Sequence, residues 1–171
     1  MLELVLGGVR SGKSQFAEKR LLQAPAPHAY LATADRAFNA KDSDFAARVE
    51  AHRQRRPSDW LLIEEPLHLA AAIQSSSAAS LLIDCMGVWL TNLLLHTDGE
   101  MLEAELNALL ALLERCEQRI IIVSSEVGFG VVPAGELSRR FVDQLGLLNQ
   151  KLAERAERVW LSVAGIAQQI K

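Results

Sequence analysis

Residues Gly7-Gly8-Val9-Arg10-Ser11-Gly12-Lys13-Ser14 match the pattern G-x-x-x-x-G-K-[ST] without a gap. In such a stretch the glycines let the backbone turn so that successive N–H groups converge on phosphate oxygens. Lys13 places a point charge on the β- and γ-phosphates, and the Ser14 hydroxyl can ligate Mg²⁺. The flanks fit as well. Leu2 to Leu6 is a short, mostly apolar run that reads as a buried strand, and Lys13 to about Gln23 has helical spacing with Phe16, Ala17, Leu21 and Leu22 on one face. That helix adds its positive N-terminal end to the same anion. A Gly-rich turn with an incidental lysine would not call for both flanks, so the reading is a nucleotide site for GTP or ATP. The loop says nothing about what receives the phosphate.

A phosphate loop on a parallel sheet calls for an acid at a neighbouring strand end to position Mg²⁺ or its water. Asp84, ending Leu81-Leu82-Ile83-Asp84, is the preferred candidate; Glu64 after Trp60-Leu61-Leu62-Ile63 and Glu126 after Ile120 to Val123 compete with it. For each, a solvated carboxylate at a strand end is the plainer alternative. Of the four histidines, His28, His68 and His96 read as surface residues, whereas His52 lies within Arg48-Val49-Glu50-Ala51-His52-Arg53-Gln54-Arg55-Arg56-Pro57. A neutral imidazole is a good nucleophile toward phosphorus, and neighbouring guanidinium groups would hold a triphosphate and keep the ring neutral by like-charge repulsion. From spacing alone, however, a basic helix with one histidine reads as a solvated face. Trp89, Trp160 and Phe129 offer apolar contact surface for a bulky acceptor, and core packing is the preferred reading of all three.

Elements alternate around these residues. Strands are expected at Leu2 to Leu6, His28 to Ala32, Trp60 to Glu64, Leu81 to Asp84, Arg119 to Ser124 and Arg158 to Val163, with a short tail to Lys171. Helices are expected from Lys13, from Asp44 to Arg55, from near Pro66, over Val88 to Leu95 and Glu100 to Arg115, and from Gly135 to Glu157; Thr33 to Ser43 reads as a loop. Strands that are apolar throughout and alternate with helices predict one α/β domain spanning 1–171, P-loop NTPase-like, with a largely parallel central sheet and helices on both faces in a RecA-like three-layer arrangement. The strand order is not readable. The 171 residues suffice for one core, and the net charge of -3 excludes a general attraction for nucleic acid or an anionic membrane surface. Cys85 and Cys116 have no metal-ligand or redox spacing. No apolar run reaches the roughly 20 residues of a membrane span. With no charged leader before the first apolar run, a cytoplasmic protein without stable membrane insertion is expected.

Beyond the phosphate loop, an ordered set of blocks resembles the bifunctional adenosylcobinamide kinase/adenosylcobinamide-phosphate guanylyltransferase family over nearly the whole chain. They are Tyr30-Leu31-Ala32-Thr33-Ala34, Arg48 to Glu64 around His52, Leu82-Ile83-Asp84-Cys85 with Trp89 to Leu94, Ser125 to Pro133, and the end of the chain from Phe141 through Asn149-Gln150 to Ser162-Val163-Ala164-Gly165. The resemblance implies two reactions in cobalamin (vitamin B12) nucleotide-loop assembly. The aminopropanol hydroxyl of adenosylcobinamide takes the γ-phosphate of ATP or GTP. A histidine then attacks the α-phosphate of GTP, and the covalent GMP-histidine passes GMP to the corrinoid phosphate, giving adenosylcobinamide-GDP. His52 matches that histidine, with Lys13 as the other catalytic position. Gly7, Gly8, Val9, Arg10, Ser11, Gly12, Lys13, Ser14, Ala32, Thr33, Ala34, Arg53, Gln54, Arg55, Arg56, Glu64 and Asp84 match nucleotide-binding positions, and Ser14 and Asp84 the Mg²⁺ site. A homo-oligomer, a trimer, is also implied. Gly87 stands where the pattern usually has threonine, Ser125 where it has asparagine, and the Thr33 to Arg48 loop is longer than the pattern.

Two rivals remain on the residues: a P-loop small-molecule kinase in which His52 is structural, and a nucleotide-binding regulatory module without transfer chemistry. Lys13, Ser14 and Asp84 together count against the second, since binding alone rarely needs the full Mg²⁺ set.

Overall fold

The computed structural model describes residues 1–35, 47, 49–50 and 53–171. Half of the expected helix at Asp44 to Arg55, His52 included, lies outside the described residues, as does the stretch 36–43 of the expected loop. The expected α/β class is the observed one. Seven strands, β1 (Leu2–Gly7), β2 (His28–Ala32), β3 (Leu61–Glu64), β4 (Ser80–Asp84), β5 (Arg119–Ser125), β6 (Arg158–Val163) and β7 (Ile166–Gln169), form one sheet in the order β3-β2-β4-β5-β1-β6-β7. All neighbours are parallel except β6 and β7. The helices with both ends among the described residues are α1 (Lys13–Leu22), α2 (Leu69–Ser75), α3 (Met86–His96), α4 (Gly99–Arg115) and α5 (Glu136–Arg155).

Alternation along the central strands divides the core into two layers. Leu2, Leu4 and Leu6 of β1 join Leu81, Ile83, Ile120 and Ile122 beneath α2 to α5, with Trp89, Leu109 and Leu148 in the same cluster. Val5, Leu82, Ile121 and Val123 point to the other face, where Ala17 and Leu21 of α1 cover them together with Tyr30 and Trp60. Continuous burial along β1 and over Ile120 to Ser124 of β5 is what a strand buried on both faces requires.

One charge sits inside this core. Glu3 is fully buried and accepts a bidentate pair from Arg20 of α1, at 3.0 and 2.9 Å, and a bond from the Trp160 indole at 3.1 Å. Arg119 completes the pairing, with Arg158 at 3.9 Å. Burial alone raises a carboxyl pKa, but the bonds from Arg20 and Trp160 and the Arg20 and Arg119 charges outweigh it, so Glu3 is held below its ordinary value. The network ties α1, and so the phosphate loop before it, to three strands.

Several boundaries differ from expectation. The segment after β6 is not a tail: Ala164 and Gly165, with φ of 51° and 82°, form a two-residue turn that pairs Val163 with Ile166 and returns as β7. Positive φ at both central positions is the type I′ requirement, met here by Ala-Gly rather than the usual Asn-Gly. The helix expected near Pro66 begins at Leu69, because Glu65 Oε1 first accepts from the N–H groups of Leu67 and His68, both at 2.9 Å. Among the described residues no helix is long and apolar enough to cross a membrane.

Candidate active site

All parallel strands end at the same edge of the sheet, and that edge carries the site. Registers align Ala32 with both Glu64 and Asp84, and Gly7 with Ser125. An open cavity of about 500 Å³ lies there. It is lined by Val9 to Ser14 of the phosphate loop, by Ala32, Ala34, Glu64 and Asp84 at strand ends, and by Arg53, Arg55 and Arg56. Among the described residues, five cationic side chains against two acidic ones line it, in a chain of net charge -3. This concentrates positive potential where a triphosphate would sit.

The phosphate loop is built for close backbone approach. A Cβ on Gly7 would stand 2.4 Å from Ser11 Oγ and 2.6 Å from the Ser162 carbonyl oxygen. Gly12 has φ of 88°, and a Cβ there would stand 3.0 Å from Gly165 Cα. Gly12 caps α1 without a side-chain bond, and the first turn holds no acid, so the N-terminal N–H groups are left for an anion. Lys13 Nζ donates to the Gly8 carbonyl at 3.0 Å, folded back over its own loop. The β6–β7 turn braces the far side. Ser162 Oγ and Gly165 N both donate to the Ser11 carbonyl, at 2.7 and 2.9 Å. Because the peptide is planar and trans, holding that carbonyl outward turns the Gly12 N–H the opposite way.

Around Asp84 the structure adds residues that sequence reasoning did not single out. The Tyr30 hydroxyl donates to Asp84 Oδ2 at 3.0 Å, and the Arg56 guanidinium lies over the Tyr30 ring, 4.6 Å from its centroid. Burial, then the Asp84 charge and bond, push the phenol far above its usual value, so it remains a donor. Asn92 of α3, buried, donates to the carbonyls of Thr33 at 2.8 Å and Pro66 at 3.1 Å, fastening the segments that leave β2 and β3. On the other side of the site, Asn149 donates to the Ser125 carbonyl and accepts from Ser124. Packing and the Asp84 charge push the Cys85 thiol up to about 11, which leaves it neutral.

Other expected positions fall outside the cavity lining. Thr33 is buried, its hydroxyl accepting from Cys85 N and donating to the Cys85 carbonyl, so it holds the turn after β2 against the end of β4. Gln54 donates to Glu50 at 3.2 Å. Glu126 turns back to cap the Gly128 N–H at 2.7 Å. Arg55, which does line the cavity, also pairs with Glu18 of α1 at 3.2 Å. Trp89 is core, donating to the Leu67 carbonyl, and Trp160 belongs to the Glu3 cluster. Phe129, in contrast, is 83% exposed and so is not a core residue. The two substituted positions among the departures from the family pattern meet, since a Cβ on Gly87 would lie 3.6 Å from Ser125 Oγ.

A hard cation fits this donor set. Mg²⁺ takes few protein ligands and keeps waters and substrate phosphates. One hydroxyl (Ser14) and one carboxylate (Asp84) on the same cavity supply that, and no cluster of three or more His, Cys, Asp or Glu exists among the described residues to suggest a protein-caged metal.

A family model described as cobinamide kinase / cobinamide phosphate guanyltransferase matches residues 3–170. The chain belongs to this family. Its curated relatives include the bifunctional adenosylcobalamin biosynthesis protein CobP of Pseudomonas aeruginosa, 49% identical over 173 residues that cover all of this chain and 98% of the relative. The bifunctional adenosylcobalamin biosynthesis proteins CobU of Escherichia coli and Salmonella typhimurium are each 37% identical over 186 residues, covering both chains completely. For a cobinamide kinase / cobinamide phosphate guanyltransferase the geometry is apt. Both reactions consume a nucleoside triphosphate, and the Gly7–Ser14 loop and a second cationic segment line the same cavity.

Proposed function

We propose that this chain carries out both reactions on adenosylcobinamide, with GTP or ATP as phosphoryl donor and GTP as guanylyl donor. Belonging to the family supports the pair of activities over a kinase alone. The observation that carries the reading is the convergence, on one cavity, of Lys13 and Ser14, Asp84, and the arginines that directly follow His52 in the chain. In the kinase step the acceptor oxygen attacks the γ-phosphorus, its proton passes to solvent, and the nucleoside diphosphate leaves. Lys13 and the loop N–H groups stabilise the charge that builds on the transferring and leaving oxygens. In the second reaction a His52 ring nitrogen attacks the α-phosphorus and pyrophosphate departs. A phosphate oxygen of the corrinoid phosphate then displaces the imidazole. Splitting one transfer in two suits a nucleophile followed by three guanidinium groups. Mg²⁺, held by Ser14 and Asp84, supplies charge neutralisation on the phosphates.

The same reading takes 1–171 as one domain, working in the cytoplasm as a homo-oligomer, a trimer. Incubation with GTP labelled at the α-phosphate, beside a His52→Ala variant and a γ-labelled control, tests it. Acid-labile, base-stable α-label on the wild type alone is the expected result. Corrinoid phosphorylation without α-labelling would leave a kinase with a structural histidine.

A further inference from the structure

Tyr30 touches two groups that a triphosphate site must handle separately. Its hydroxyl donates to Asp84, the acid at the end of β4, and its ring carries the guanidinium of Arg56. Tyr30 is 5% exposed and lines the cavity. Arg56 Nη1 is buried and has no hydrogen-bond partner among the described residues, a costly state for a guanidinium nitrogen unless something binds there. A planar cation held flat on an aromatic face loses little further freedom when it grips a phosphate, because its fork is already oriented.

We propose that Tyr30 is a positioning residue that couples the two halves of the site: its hydroxyl orients the Asp84 carboxylate toward a divalent cation, and its ring holds Arg56 so that the unpartnered Nη1 meets a nucleotide phosphate. The hydroxyl and the ring act on different partners, so the two roles separate by substitution. The inference rests on Asp84 being the cation's acid.

The test reads equilibrium binding of a non-hydrolysable GTP analogue, first in EDTA and then across a Mg²⁺ titration, so that turnover is not involved. Tyr30→Phe keeps the ring and removes the hydroxyl. Affinity in EDTA is expected within twofold of wild type, and the gain produced by Mg²⁺ reduced about tenfold, the lower end of what losing a group that orients a metal ligand costs. Tyr30→Leu removes both, with an additional loss in EDTA of about threefold, the size of a partly exposed cation–π contact. Adding Arg56→Ala to Tyr30→Leu should then cost less than it does in the wild type. If Tyr30→Leu does not fold, Arg56→Lys provides the same arm, since an ammonium keeps the charge and loses the planar stack. Asp84→Asn is the control for the premise. A lost Mg²⁺ gain in Asp84→Asn with an unchanged gain in Tyr30→Phe overturns the inference and leaves the cation site standing. An unchanged gain in both variants overturns the Asp84 assignment, and the inference with it.

Discussion

Replacing Ser162 with alanine should weaken nucleotide binding from outside the phosphate loop. Ser162 is 1% exposed, and its hydroxyl gives the Ser11 carbonyl one of its two bonds, at 2.7 Å; the other comes from Gly165 N at 2.9 Å. The substitution leaves that carbonyl with one donor, so no buried group is orphaned. The cost in stability is then that of one net hydrogen bond, about 1 kcal/mol, or a fall in Tm of about 2–4 °C for a domain of this size. The peptide whose carbonyl is loosened carries the Gly12 N–H, one of the groups at the start of α1 that face the anion. If the brace sets that peptide plane, most of the same energy is also lost from the bound state, and nucleotide affinity falls about fivefold, the factor that about 1 kcal/mol represents. Thermal unfolding without ligand and calorimetric titration with a GTP analogue measure the two separately. A lowered Tm with unaltered nucleotide affinity would refute the coupling and reduce the β6–β7 turn to a structural hairpin.

Two further substitutions test other parts of the frame. Glu3→Gln should destabilise the fold at pH 7 by about 3 kcal/mol, since Arg20 and Arg119 would face a buried neutral amide. Because the folded Glu3 pKa is depressed, its stabilisation is complete above the ordinary value of 4.5 and disappears as pH falls through the lower folded value. The gap between wild type and variant in urea midpoints should therefore close on acidification, and a pH-independent gap contradicts the ion-pair account. Gly87→Ala should stabilise by about 0.5–1 kcal/mol, because Gly87 lies inside α3 and the added methyl meets nothing nearer than 3.6 Å. A lowered Tm would show that the contact with Ser125 and Phe141 is tighter than an added methyl allows.

The strand, loop and helix that hold the phosphates were legible because each has a local signature: an apolar run, a glycine spacing that only one backbone shape satisfies, and 3.6-residue periodicity. Asp84 was legible as an acid closing an apolar run. What escaped depends on partners far away in sequence. Glu3 sits within an apolar run and gave no sign of the cations at positions 20, 119 and 158 that make its burial tolerable. Tyr30 reads as an ordinary strand aromatic until β2 lies beside β4 and places its hydroxyl on Asp84. The final hairpin went unrecognised because Ala164 is a poor marker for positive φ and Ile166–Gln169 is too polar to look like a strand. Phe129 reads as core on residue type alone, and residue type does not say which side of a loop faces water.

The topology explains why so much of the site falls in one place. In a sheet whose strands run parallel, every strand delivers its last residue to the same edge, so Gly7, Ala32, Glu64, Asp84 and Ser125 converge without any sequence proximity. Gly7, Ala32, Asp84 and Ser125 lie on strands paired on both sides and the loop is braced by buried bonds, which suits groups that must hold phosphates in one geometry, while Glu64 ends the edge strand β3. The arginines at 53, 55 and 56 reach the cavity from outside the sheet; Arg56 stacks on Tyr30 and Arg55 pairs with Glu18. The Arg55–Glu18 pair is weaker than a strand ladder and a phosphate can take the place of its carboxylate, while the stack on Tyr30 keeps Arg56 oriented. A site that must present the γ-phosphorus to one acceptor and the α-phosphorus to another needs that division: a rigid cradle for the anion, and a second cationic segment whose contacts can be exchanged as the reacting phosphorus changes.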